Sequence, residues 1–212
     1  AFTGSNKVGL DIVRAAAETP PDQKHIKRVI AEMGGKNCVI VDSDADLDEV
    51  VPALVSSAFA YAGQKCSAAS LAIVERGVHD DPRFLRQLAD AVRSLPVGRP
   101  HDLRSVVGPV IHPPSGPLAD ALTHLQPGES WLVEPRQLGE RLWTPGVKVG
   151  VRDGSWFHTA ECFGPVLGLM RASDLDDAIR MQNATPFGLT AGLQSLDPDE
   201  VTFYAHAKGV RY

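Results

Sequence analysis

Apolar positions along the chain set the first expectations. Val8, Ile12, Val13 and Ala16 recur at helical spacing behind Ser5, so residues 5–18 read as a helix with Ser5 near its N-cap. Pro20-Pro21 stops it. Residues 25–33 and 37–41 are short apolar runs rich in Ile and Val, bracketing Gly34-Gly35, and both read as strands. Asp42, Asp44, Asp46 and Asp48 then supply acidic residues where a helix begins, which suits the helix dipole. Leu47, Val50, Val51, Leu54, Ala58 and Phe59 follow with the spacing of one helix face, and Gly63 ends that helix just before Cys66.

Beyond Cys66 the alternation continues. Residues 71–74 read as a strand, 81–95 as an amphipathic helix and 106–111 as a strand. From 113 to 150 Pro and Gly are frequent, and the pattern supports one short helix, 117–125, among short strands and loops. Residues 163–170 and 189–194 read as strands, 175–183 and 197–207 as helices. Strands alternating with helices predict an α/β fold, a largely parallel open sheet with flanking helices.

Composition narrows the function classes. The chain has 212 residues and a formal net charge of -5, which argues against a nucleic-acid-binding surface. No apolar run approaches membrane-spanning length, and no charged-then-apolar signal segment opens the chain. Three widely spaced cysteines, Cys38, Cys66 and Cys162, make a poor disulfide framework and fit a reducing, cytoplasmic compartment. No Cys or His pair has metal-ligand spacing, and the seven histidines read as surface or loop residues. Phe2-Thr3-Gly4-Ser5 reads as the end of a strand turning into a helix, an unusual place for a protein to begin, and predicts a piece of a longer chain.

Three stretches stand out: Glu32-Met33-Gly34-Gly35-Lys36-Asn37, Gly63-Gln64-Lys65-Cys66-Ser67-Ala68 and Glu161-Cys162-Phe163-Gly164-Pro165-Val166. Taken singly, each has an ordinary explanation: a turn, a small packed thiol, the start of a strand. Cys66 raises the sharper question, because its neighbours are too small to pack a core around it and would leave its sulfur open.

Together and in this order the three stretches resemble the aldehyde dehydrogenase superfamily. Phe2-Thr3-Gly4-Ser5 and Asn183-Ala184-Thr185-Pro186-Phe187-Gly188-Leu189-Thr190 extend the resemblance over nearly the whole chain. Residues 26–37 look like the branch that oxidises glutamate semialdehyde, the open form of pyrroline-5-carboxylate. Residues 117–143, with Gly128-Glu129-Ser130-Trp131-Leu132-Val133-Glu134-Pro135, resemble bacterial bifunctional proline dehydrogenase/pyrroline-5-carboxylate dehydrogenases of the proline utilization A type.

The resemblance implies a division at residue 35. Residues 1–35 would be the end of a Rossmann-like cofactor domain, and 36–212 the catalytic, thiol-bearing domain, truncated at its C-terminus. It implies Cys66 as nucleophile, with its backbone N–H on the developing oxyanion, and Glu32 as the base that activates water. It implies NAD as cofactor. Gly4 and Ser5 would sit at the diphosphate, Glu161 on the nicotinamide ribose hydroxyls and Phe163 against that ribose and ring. Ser67 would contact the carboxylate of the semialdehyde substrate. NAD rather than NADP follows from the branch alone. The parent would be linked to a proline dehydrogenase domain and homo-oligomeric, and the isolated chain would turn over little or nothing. Asn183 and Gly188 read as architectural, and Cys38 and Cys162 as packing residues. At 209–210 the chain has Gly-Val where the family usually has Gly-Asn. Two other readings stay open: an aldehyde dehydrogenase for a different aldehyde, and a non-catalytic module that kept the fold.

Overall fold

The computed structural model describes residues 1–206. The expectation at Gly209-Val210 and the last residue of the helix expected over 197–207 lie outside them. A two-stranded parallel sheet, β1 (Phe2–Thr3) and β2 (Ala31–Glu32), stands beside a six-stranded one. The larger sheet contains β3 (Asn37–Val41), β4 (Ala69–Glu75), β5 (Ser130–Val133), β6 (Gly146–Val149), β7 (Val166–Ala172) and β8 (Ala191–Gln194). Their order across the sheet is β5-β6-β7-β4-β3-β8, and only the β5–β6 pair is antiparallel. The expected α/β fold with a largely parallel sheet is what forms.

The period of two along the central strands splits the core between two faces. Val41 of β3, Ala72 and Val74 of β4, and Leu167 and Leu169 of β7 meet α2 (Leu47–Phe59) and α4 (Pro82–Arg93), which contribute Val50, Leu54, Phe59, Phe84, Leu88 and Val92. Cys38 and Ile40, Leu71 and Ile73, and Val166 and Met170 face the other way. That side is covered by α5 (Gly116–Thr123), α6 (Trp156–Thr159), α7 (Leu175–Asn183) and α8 (Pro198–His206). Fully buried side chains such as Leu54 and Phe84 each contribute about 1.5–3 kcal/mol of burial free energy. α1 (Asn6–Ala17) packs only Gly9 fully and leaves Val8, Leu10 and Val13 exposed. The short helix α3 (Arg76–His79) follows β4 directly.

Four expectations are corrected. Residues 25–33 form a strand only at Ala31–Glu32, because no neighbouring strand runs beside the rest. Residues 106–111 contribute one isolated bridge, Val107 to Val97. β7 starts at Val166 rather than 163, since Phe163 is left-handed, with φ of 54°. His158 is no surface histidine. Its side chain is buried, Gly154 N–H donates to its Nδ1 at 2.9 Å, and Nε2 lies 3.0 Å from Met181 O. That pattern fits the neutral ring, and burial lowers its pKa.

Candidate active site

The quoted stretches meet at the amino ends of the central parallel strands. Cys66 comes three residues before β4, Asn37 opens β3, and Glu161 to Gly164 lead into β7. Open α/β sheets more often bind ligands at the carboxyl ends. Here those ends carry acidic residues instead, including Asp42, Asp44 and Glu200.

β1 pairs in register with β2, Thr3 opposite Glu32, and Gly4 N–H donates to Glu32 O at 3.0 Å. This fixes the start of α1 beside the strand that carries Glu32. Ser5 is the N-cap of α1, its Oγ accepting from Val8 N–H at 3.5 Å.

Gly34-Gly35 is needed for close approach. A Cβ on Gly34 would overlap the Glu161 carboxylate, and one on Gly35 would come within 2.7 Å of Cys66 O. Gly35 N–H donates to Glu161 Oε1 at 3.0 Å, so the carboxylate is docked on the glycine turn. Phe163 is 43% exposed, with its ring over open space rather than in the core.

Cys66 sits on an unusual turn. After α2, Tyr61, Ala62 and Gly63 all adopt left-handed backbone, with φ of 55°, 56° and 67°. For Tyr61 and Ala62 this costs roughly 1–2 kcal/mol each. Ala68 N–H then donates to Lys65 O at 3.1 Å, closing a tight turn that leaves Cys66 exposed. Among the described residues no acceptor takes the Cys66 N–H. The other two thiols differ: Cys38 and Cys162 are buried, and burial pushes Cys38 up to about 12 and Cys162 above its ordinary value.

A cleft of about 590 Å³ brings Gly4, Ser5, Cys66, Glu161 and Phe163 together, with Thr3, Met33, Gly34, Gln64 and Lys65 completing its walls. Glu32 and Ser67 are exposed beside it rather than among its lining residues, each adjacent in sequence to one that is. The free amino end of a twelve-residue helix, a docked carboxylate and an exposed aromatic face suit a ligand with phosphate, ribose diol and aromatic groups.

Asn37 is the site residue that sequence reasoning passed over. Its Nδ2 donates to Cys66 O at 2.6 Å and to Ala68 O at 2.9 Å, and its Oδ1 accepts from Thr190 N–H at 3.1 Å. The available signal was a carboxamide heading an apolar run, the place where a strand end needs backbone partners.

Residues 1–208 match the aldehyde dehydrogenase family. The chain is 38% identical over 195 residues to a 1-pyrroline-5-carboxylate dehydrogenase of Bacillus subtilis, covering 91% of this chain and 38% of the relative. It superposes on Proline Utilization A from Corynebacterium freiburgense with a TM-score of 0.87 and 46% identity, covering 97% of this chain and 20% of that one. The 1-pyrroline-5-carboxylate dehydrogenase from Thermus with bound NAD gives a TM-score of 0.87 at 33% identity, over 97% of this chain and 40% of that chain. This chain therefore spans well under half the length of these relatives. On the match across nearly all its residues, the chain belongs to the aldehyde dehydrogenase family.

Proposed function

We propose that this chain carries the reactive half of an NAD-dependent enzyme that oxidises L-glutamate γ-semialdehyde, the open form of pyrroline-5-carboxylate, to glutamate. The observation that carries the reading is the exposed Cys66, presented on a strained turn at the cleft where Gly34, Glu161 and Phe163 also converge. The names of the relatives support the substrate and the cofactor.

In this reading Cys66 Sγ attacks the aldehyde carbon, forming a thiohemiacetal whose oxyanion is held by the Cys66 N–H. NAD, when bound, supplies the hydride acceptor. Gly4 and Ser5 at the start of α1 would hold its diphosphate, Glu161 would accept from its ribose hydroxyls, and Phe163 would lie against that ribose and ring. Once the carbon reaches the oxidation level of a thioester, Glu32 takes a proton from water, the water oxygen attacks the acyl carbon, and the Cys66 thiolate leaves. Ser67, beside the nucleophile, receives the substrate carboxylate.

Residues 1–35 are then the end of the cofactor domain and 36–212 the thiol domain. The two-stranded sheet lying apart from the six-stranded one supports a division near residue 35. A parent linked to a proline dehydrogenase domain accords with the Proline Utilization A relative, and a homo-oligomeric parent is part of the same reading. Three free cysteines accord with a reducing cytoplasm, and no helix among the described residues is long and apolar enough to cross a membrane.

The test is NADH absorbance with the longer protein, comparing pyrroline-5-carboxylate with acetaldehyde and including Cys66→Ser. Activity should favour pyrroline-5-carboxylate and vanish in the variant. A preference for acetaldehyde removes the substrate assignment, and an active Cys66→Ser removes the nucleophile.

A further inference from the structure

The Cys66 turn is held by two carboxamides on opposite sides. Gln64 follows the left-handed run, and its side chain spans two segments. Nε2 donates back across the run to Tyr61 O at 3.1 Å and outward to Pro109 O at 3.3 Å, while Oε1 accepts from Ile111 N–H at 2.8 Å. Asn37 holds the other side through Cys66 O and Ala68 O, and is itself fixed by Thr190 N–H. Asn37 is buried and Gln64 half-buried.

We propose that Asn37 and Gln64 are positioning residues for the Cys66 nucleophile, acting through the backbone that carries it. Left-handed backbone at Tyr61 and Ala62 persists only where the surroundings over-determine it. Gln64 supplies such a restraint through Tyr61 O, and Asn37 holds the turn that follows through Cys66 O and Ala68 O. They also orient the peptide units around the sulfur. The Lys65 carbonyl is bound by Ala68 N–H and the Cys66 carbonyl by Asn37, so the Cys66 N–H keeps a fixed direction for a developing oxyanion. The proposal rests on Cys66 being the reactive thiol.

The test uses the 212-residue chain itself. Cys66 alkylation by iodoacetamide is followed at fixed pH by peptide mass, with Cys38 and Cys162 as internal references, alongside amide hydrogen exchange. The variants are Asn37→Asp, which keeps the acceptor for Thr190 but loses both donors, Gln64→Met, which keeps length but no hydrogen bonds, and Gln64→Glu, which keeps the acceptor for Ile111. In Asn37→Asp and Gln64→Met, exchange of amides 61–68 should quicken about tenfold or more while β4 is unchanged. The rate of Cys66 alkylation should fall severalfold. Gln64→Glu should fall between Gln64→Met and the parent chain. Cys38, next to Asn37 in β3, should stay unreactive, whereas a general loosening would expose it as well. Unchanged Cys66 rates overturn the proposal, as does a rise in Cys38 labelling. If Cys66 in the parent chain reacts no faster than Cys38 and Cys162, the nucleophile assignment fails and this proposal falls with it, an outcome read before any variant is made.

Discussion

Lys36 lies between the glycine pair and Asn37, buried, with Nζ 4.0 Å from the centre of the Phe157 ring and no hydrogen-bond partner among the described residues. Burial pushes its pKa from an ordinary 10.5 down to about 8, against the pull of the nearby Cys162 and Glu161. Below about 8 the lysine is charged in both folded and unfolded chains, and the full penalty of burying it applies. Between about 8 and 10.5 the unfolded chain binds more protons, so this contribution makes stability rise with pH until the penalty is gone. Lys36→Met fills similar volume without the charge and loses only the ring contact. It should stabilise the chain by about 2 kcal/mol at pH 7, the gap narrowing towards pH 10. Urea unfolding of both proteins at the two pH values checks this, and a less stable variant, or a gap independent of pH, would refute it. Neither Lys36 nor Asn37 drew notice in the sequence beyond marking a family, because a polar pair after Gly-Gly looks like any solvated turn. Only the register of β3 against β4 puts Asn37 opposite Ala69 and aims it at the Cys66 loop.

The run from α2 through the left-handed turn into β4 transmits packing to Cys66. α2 is anchored by its apolar face, and its start is capped by Asp46, whose side chain accepts from Asp48 N–H at 3.0 Å. Its far end delivers Gly63 against the Phe163-Gly164 turn, where a Cβ would overlap Gly164 O at a left-handed φ of 67°. Gly63→Ala should therefore separate the two walls of the cleft. It should cost roughly 2–4 kcal/mol and slow Cys66 alkylation severalfold. Asp46→Ala should cost about 1 kcal/mol and leave Cys66 alkylation alone, because the loss is confined to the first turn. Thermal unfolding with thiol labelling distinguishes them, and equal effects on Cys66 would show that the turn is not locally held. At this scale legibility followed packing. α2, α4 and α7 were readable because each has one apolar face with a fixed period, and β3 because it is a short apolar run, buried on both faces, between Gly34-Gly35 and the acidic residues from Asp42. Residues 25–33 and 106–111 have strand-like composition, but a strand needs a neighbour, and that is a tertiary fact. The left-handed backbone at Tyr61 and Ala62 was illegible, since neither residue type favours it.

Across the molecule, the parts that would hold NAD are unevenly built. The floor of the cleft is firm: Glu161 is docked on Gly35, and the Cys66 turn is tied on two sides. The wall that would meet the diphosphate is α1, which rests on a two-stranded sheet and shows Val8, Leu10 and Val13 to solvent, each more than 40% exposed. A ligand site normally encloses most of its ligand, and apolar side chains left open along a helix lack the burial that would fix its position. The relatives are more than twice as long, and one of them is described with NAD bound. The 212-residue chain should therefore bind NAD only at roughly millimolar concentration or weaker, against micromolar binding by the longer protein, a difference of about 4 kcal/mol. Calorimetric titration of both with NAD checks the gap. Cys66 should nonetheless remain the fastest-labelling thiol in the short chain, because the elements that present it lie within residues 36–206. Micromolar NAD binding with steady NADH production by the short chain would show that α1 and the cleft suffice by themselves, and would overturn the assignment of residues 1–35 as an incomplete cofactor domain.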